Sequence, residues 1–127
     1  MVRAGRVRTG RRVRRRRAPR IQMPRLSLIG CGRWGRNILR DLVALQCEVV
    51  VADPDAEARR RAEVSGARRA VADARDLPES DGIVIASSTS THADLIELSL
   101  ARGVPVFVEK PMTSDPRQAR RLAESGQ

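Results

Sequence analysis

Three glycines at the spacing G-x-G-x-x-G, Gly30, Gly32 and Gly35, stand directly after an aliphatic run and directly before a helix-patterned segment. That placement restricts the chain more than any other feature. A strand has to end at Gly30, turn tightly and enter a helix whose first turn packs back on it. In such a motif the first glycine permits the turn, the second lets the backbone approach a pyrophosphate, and the third allows close helix–sheet packing. The helix start adds unpaired N–H groups and the positive end of the helix dipole, both suited to phosphate. Gly30, Gly32, Arg33, Trp34 and Gly35 are therefore candidate dinucleotide-binding residues. The spacing by itself is weak; the strand before it and the helix after it give it weight.

Aliphatic runs and amphipathic segments alternate along the rest of the chain. Residues 26–29 read as a first strand, and residues 36–46 as a helix with Ile38, Leu39, Leu42, Val43 and Leu45 at helical spacing. Residues 49–52 form a second buried strand, and residues 55–65 a charged, alanine-rich helix with Pro54 in its first turn. A weak third strand over 70–72 is followed by a turn-rich loop at 76–82 and a strong fourth strand over 83–86. Ser90 or Thr91 caps a helix running to Gly103, residues 104–108 form a fifth strand, and Ser114 or Asp115 caps a last helix with Pro116 at its first position. This alternation requires right-handed crossovers and predicts an α/β fold, a doubly wound parallel sheet of the Rossmann kind. With one Trp and one Phe, the core has to be aliphatic, which suits strands buried on both faces.

The net charge of +10 is local. Residues 1–24 hold ten arginines and no acid, whereas residues 25–127 hold fifteen basic and fifteen acidic residues. The division predicts an arginine-rich leader over 1–24 and a dinucleotide-binding domain over 25–127. The leader lacks the apolar stretch of a secretory signal, and no run is long enough to span a membrane. Its arginines could meet nucleic acid or an anionic surface by charge alone, or serve as a transit peptide. Translation starting at Met23 is the simpler expectation, and it leaves a neutral domain with neither nucleic acid nor membrane as partner. Cys31 and Cys47 have no metal-ligand spacing to each other or to the lone His92, so no metal site is expected. They read as reduced, partly buried thiols of a cytoplasmic protein.

Further candidates follow the later strands. Asp53 ends the second strand, about 20 residues past the glycines, where a carboxylate takes the adenosine ribose hydroxyls and repels a 2′-phosphate. It favours NAD over NADP; the other reading of Asp53 is a helix cap. Ser87 and Ser88 begin a hydroxyl-rich loop after the fourth strand, on the side where open α/β sheets bind ligands. His92 lies in the next helical turn and reads equally as a cofactor contact or as a structural hydrogen-bonding residue. Lys110 is the single lysine of a chain with 24 arginines and follows the fifth strand in Glu109-Lys110-Pro111. Lysine can give up a proton where arginine cannot, which makes Lys110 the catalytic candidate.

Taken in order, Gly30 to Gly35, Ala52-Asp53-Pro54-Asp55, residues 81–86 leading to Ser90-Thr91-His92, and residues 103–111 ending in Glu109-Lys110-Pro111 resemble the Gfo/Idh/MocA family of oxidoreductases. The resemblance implies the NAD-binding half of an enzyme moving a hydride between a sugar or polyol hydroxyl and a nicotinamide. It implies that Lys110 lies beside the nicotinamide and the substrate hydroxyl, and that Glu109 helps bind the cofactor. Cys31, Trp34 and Asn37 resemble the branch acting on nucleotide-activated sugars. Where the family usually has a proline after the fourth strand, this chain has Ser88. Family members carry a second α/β domain that holds the substrate pocket and usually the oligomer interface, so the chain is expected to be a fragment lacking the last strand and that domain. Two other functions stay open: a dinucleotide-binding module without turnover, and a nucleic-acid-associated protein driven by the leader.

Overall fold

The computed structural model describes residues 22–127, so the leader, apart from its last three residues, lies outside the described residues. Five strands and four helices alternate: β1 (Arg25–Ile29), α1 (Arg33–Ala44), β2 (Glu48–Ala52), α2 (Ala56–Val64), β3 (Arg69–Val71), β4 (Gly82–Ile85), α3 (Thr89–Leu100), β5 (Val106–Val108) and α4 (Pro116–Ser125). All strand pairs are parallel, and the sheet order is β3-β2-β1-β4-β5. The chain runs outward from β1 through β2 to β3, then returns to lay β4 against the other side of β1. This is the doubly wound parallel sheet expected from the alternation, and the order reverses between β1 and β4.

Each central strand is apolar on both faces because both faces are covered. Leu28, Val49 and Val51 point to the side that holds Leu39 of α1 and Ala62 of α2. Their neighbours Ile29, Val50 and Ala52 point to the other side, with Ile83, Ile85, Ile96 of α3 and Leu122 of α4. Strand side chains alternate between faces, so a continuous aliphatic run is the only pattern that serves both layers. Fully burying one such side chain is worth about 1.5–3 kcal/mol.

Several boundaries differ from the sequence reading, each for a local reason. Helix α1 starts at Arg33, ahead of its apolar stripe, because Gly32 is its N-cap. Pro54 stays outside α2: Asp55 is the N-cap, and its carboxylate accepts from the N–H groups of Glu57 and Ala58 at 3.3 and 3.1 Å. The third strand is shifted to Arg69–Val71 and leads into a single 3₁₀ turn, Ala74–Asp76, where only a loop was expected. Helix α3 begins at Thr89 with Ser88 as its N-cap, not Ser90 or Thr91. Strand β5 starts after Pro105, which lacks an N–H; its carbonyl accepts from Ile83 N at 2.9 Å. At the last helix Asp115 caps and Pro116 opens the first turn, as expected.

Candidate functional site

The carboxyl ends of β1, β2 and β4 open onto a cleft of about 670 Å³, lined among others by Gly32, Arg33, Asp53, Asp73, Ser87 and Thr91. It lies at the point where the strand order reverses, the place where sheets of this type take ligands. Its volume falls within the ~300–1,000 Å³ of small-molecule sites.

The glycine motif forms one side. Gly30 has φ +90, and a Cβ there would stand 2.6 Å from Ser87 N. A Cβ on Gly35 would collide with the carbonyl oxygen of Gly30. These two positions are closed by the protein itself. Gly32 is different, because a Cβ built on it meets nothing within 4 Å. The space it faces belongs to the cleft, which fits the role of letting a ligand approach the backbone. The helix end behind it is uncapped: no side chain accepts from the first turn of α1, and that turn holds no acid. Helix α3, which also opens on the cleft at Thr91, lacks a side-chain cap as well. By contrast α2, the 3₁₀ turn and α4 are each capped by an aspartate. The helix ends left with free N–H groups are therefore those at the cleft, and the donor set suits phosphate oxygens.

Asp53 sits where β2 meets this loop and is 9% exposed. One carboxylate oxygen accepts from Cys31 N and the other from Asp55 N, both at 2.8 Å. The carboxylate thus braces the glycine loop against the start of α2. Each oxygen keeps a second lone pair for a hydroxyl donor, so bracing and ribose binding are compatible. Cys31 beneath the loop is fully buried; burial first, and the Asp53 charge second, raise its thiol above its ordinary pKa. It is an inert core thiol, more deeply buried than the sequence suggested. Trp34 is 70% exposed at the rim of the cleft.

The loop after β4 is ordered by its own hydroxyls. Ser87 Oγ and Thr91 Oγ1 are 2.8 Å apart, and Thr91 Oγ1 donates to Ser88 O at 2.7 Å. His92 is only 1% exposed. Its Nε2 lies 2.8 Å from Ser87 O, and its Nδ1 lies 2.9 Å from Pro111 O and 3.2 Å from Met112 O. With both ring nitrogens facing chain carbonyls, the geometry favours the structural reading of His92 over a direct cofactor contact. The ring ties the loop after β4 to the loop after β5, where Glu109 and Lys110 stand. Glu109 N donates to Ile85 O at 2.9 Å, which continues the sheet ladder one residue beyond β5. Lys110 is exposed, and neither it nor Glu109 lines the cleft.

The sequence-derived residues therefore fall into two groups on one edge of the sheet. Gly30, Gly32, Arg33, Trp34, Asp53, Ser87 and Ser88 line the cleft, with Gly35 packed beneath. Glu109 and Lys110 stand at the end of β5, joined to the first group by His92. Replacing His92 by leucine removes the ring N–H and the polar bridge between these part-buried carbonyls. A loss of about 1–3 kcal/mol is expected, measured by urea unfolding; an unchanged midpoint would contradict the bridging role.

Residues 25–126 match an oxidoreductase family with an NAD-binding Rossmann fold. The chain belongs to the Gfo/Idh/MocA family. Rhizopine catabolism protein MocA of Rhizobium meliloti is 34% identical over 106 residues, 79% of this chain and 33% of that protein. UDP-N-acetylglucosamine 3-dehydrogenase of Acidithiobacillus ferrooxidans superposes with a TM-score of 0.75 at 30% identity, covering 84% of this chain and 36% of that one. A myo-inositol dehydrogenase of Corynebacterium glutamicum superposes with a TM-score of 0.69 at 39% identity, covering 82% and 33%. The chain spans about a third of the length of the curated relatives it matches.

In this Gfo/Idh/MocA chain the motif residues form only part of the cleft. Ala72, Asp73 and Ala74 after β3, and Asp94 and Leu95 on α3, also line it. Sequence reasoning passed over them because they follow a three-residue strand or sit on an ordinary helix face. Asp73 accepts from Arg75 Nη2 at 2.6 Å and from Arg75 N at 2.8 Å, and these bonds hold its pKa down at about 2. Among the described residues no helix is long and apolar enough to cross a membrane.

Proposed function

We propose that this chain forms the NAD-binding part of an oxidoreductase that transfers a hydride between a sugar- or polyol-type hydroxyl and the nicotinamide. The observation that carries this reading is the open space at Gly32 beneath the uncapped start of α1. When bound, the nicotinamide supplies the hydride acceptor or donor. Gly32, Arg33 and the first-turn N–H groups of α1 hold the pyrophosphate. Asp53 takes the adenosine ribose. Trp34, Ser87 and Ser88 border the dinucleotide. At the end of β5, Lys110 polarises the substrate oxygen or relays its proton, and Glu109 supports the cofactor. The inositol and UDP-N-acetylglucosamine dehydrogenases among the relatives support a polyhydroxylated substrate. A second reading, dinucleotide binding without turnover, is favoured by the exposure of Lys110 and its place outside the cleft.

The cofactor preference follows from charge. A 2′-phosphate would meet the Asp53 carboxylate. The nearby Arg59 is tethered by its Nη1, which donates to Asp53 O and Pro54 O, both at 2.9 Å. NAD is therefore expected to bind at least about tenfold more tightly than NADP. Asp53→Asn should weaken NAD by roughly 1.5–3 kcal/mol and narrow the gap between the two. Calorimetric titration of both cofactors into both proteins tests this, with a melt confirming that the variant is folded. NADP binding as tightly as NAD to the wild-type chain would overturn the preference.

A further inference from the structure

The far wall of the cleft is built from residues that the sheet no longer holds. Strand β3 is an edge strand of three residues, paired only with β2. The last bond of that ladder runs from Asp53 N to Val71 O at 3.0 Å. The chain then leaves the sheet, and the next three residues, Ala72, Asp73 and Ala74, line the cleft. Ala74 and Leu77 are buried and supply some apolar hold.

Arg102 supplies the polar hold. It follows the C-cap of α3 in a tight turn, where Arg102 N donates to Ser99 O and Gly103 N to Leu100 O, both at 3.0 Å. Its guanidinium reaches across to the 3₁₀ segment. Nη1 donates to Leu77 O at 2.8 Å and Pro78 O at 3.3 Å. Nη2 donates to Ala74 O and Arg75 O, both at 3.3 Å. One planar fork thus collects four backbone carbonyls around a single turn. They include Arg75 O, which the end of the short 3₁₀ turn leaves without a backbone donor, whereas Ala74 O also accepts from Leu77 N at 3.3 Å. The same helix α3 carries Thr91, Asp94 and Leu95 at its other end, and these line the cleft as well. Arg102 therefore ties the segment carrying Ala72, Asp73 and Ala74 to a helix that also lines the cleft.

We propose that Arg102 is a positioning residue that sets the wall against which the adenosine half of the dinucleotide lies, and so controls affinity for adenine nucleotides. This rests on the dinucleotide reading of the cleft. Arg102 touches neither the glycine loop nor Lys110, so its influence is confined to the adenosine end. A lysine keeps the charge, but its single ammonium cannot span both pairs of carbonyls.

The test titrates AMP and inorganic pyrophosphate into the wild-type chain, Arg102→Met and Arg102→Lys, and follows amide hydrogen exchange over residues 73–78. Arg102→Met should bind AMP about tenfold more weakly, with faster exchange over 73–78 and unchanged exchange in β1 and β2. Pyrophosphate affinity should stay as in the wild type, because the glycine loop is untouched; a general loosening would weaken both ligands. Arg102→Lys should fall between the two, and it gives the same reading if the methionine variant does not fold. Wild-type AMP affinity in either folded variant would overturn the proposal, as would parallel losses of AMP and pyrophosphate. If the wild-type chain binds neither AMP nor pyrophosphate, the proposed function fails, and unchanged exchange over 73–78 would then dispose of the Arg102 role separately.

Discussion

Gly35→Ala should remove both cofactor binding and much of the stability of the fold. The added methyl would meet the carbonyl oxygen of Gly30, a backbone atom with nowhere to move. Gly30 has little room to yield, because even a Cβ built on it would stand within 2.8 Å of the backbone of Ala86 and Ser87, and its N–H donates to Ala52 O at 2.8 Å. The strain has to be relieved by lifting α1 from the sheet, which uncovers Leu39 and opens the cluster around Leu28 and Val51. Overpacking usually costs about 1–3 kcal/mol, and a rigid backbone contact belongs at or above the upper end. Against a total stability of about 5–15 kcal/mol, that is a large share. Urea unfolding measures it. A Gly35→Ala variant as stable as the wild type would show that α1 does not dock as described.

The second large effect concerns Lys110. Substitution by arginine keeps the positive charge but removes the proton that can be exchanged. If Lys110 handles the substrate proton, turnover should fall by about 10²–10⁴-fold, the usual contribution of a positioned acid–base group. Cofactor affinity should change little, because Lys110 does not line the cleft. Since the chain matches a third of its relatives' length, the assay uses a chimaera in which residues 25–126 replace the matching segment of the Corynebacterium glutamicum myo-inositol dehydrogenase. Turnover and NAD affinity are measured with and without Lys110→Arg. Unchanged turnover in an active chimaera would show that Lys110 does not handle the substrate proton.

The sheet and the glycine loop were legible because their signals are local. Aliphatic runs at residues 49–52 and 83–86 mark strands buried on both faces, and glycines where a Cβ cannot fit show directly in the sequence. Asp53 was legible by its distance from those glycines. The bracing of Cys31 N and Asp55 N by its carboxylate was hidden because backbone donors leave no mark in a sequence. The same applies to His92 and Arg102. Their partners are carbonyl oxygens lying 5–20 and 24–28 residues away, and every residue has a carbonyl. The wall at Ala72, Asp73 and Ala74 escaped notice because it follows the shortest edge of the pattern. For Lys110, the edge of the sheet followed from its place after the fifth strand, while its separation from the cleft required the fold.

The central claim is that the space before Gly32 belongs to a dinucleotide. Gly32→Val tests it most directly, because a Cβ there has no protein atom beyond its chain neighbours within 4 Å and the backbone at Gly32, φ −75 and ψ −150, is extended. The measurement is a calorimetric titration of NAD into the wild-type chain and the variant, with a thermal melt of each. The account predicts one saturable site in the wild type, a melting midpoint in Gly32→Val within a few degrees of it, and binding reduced by at least about tenfold. Equal NAD binding by the two proteins, or no saturable binding by the wild type, would contradict it.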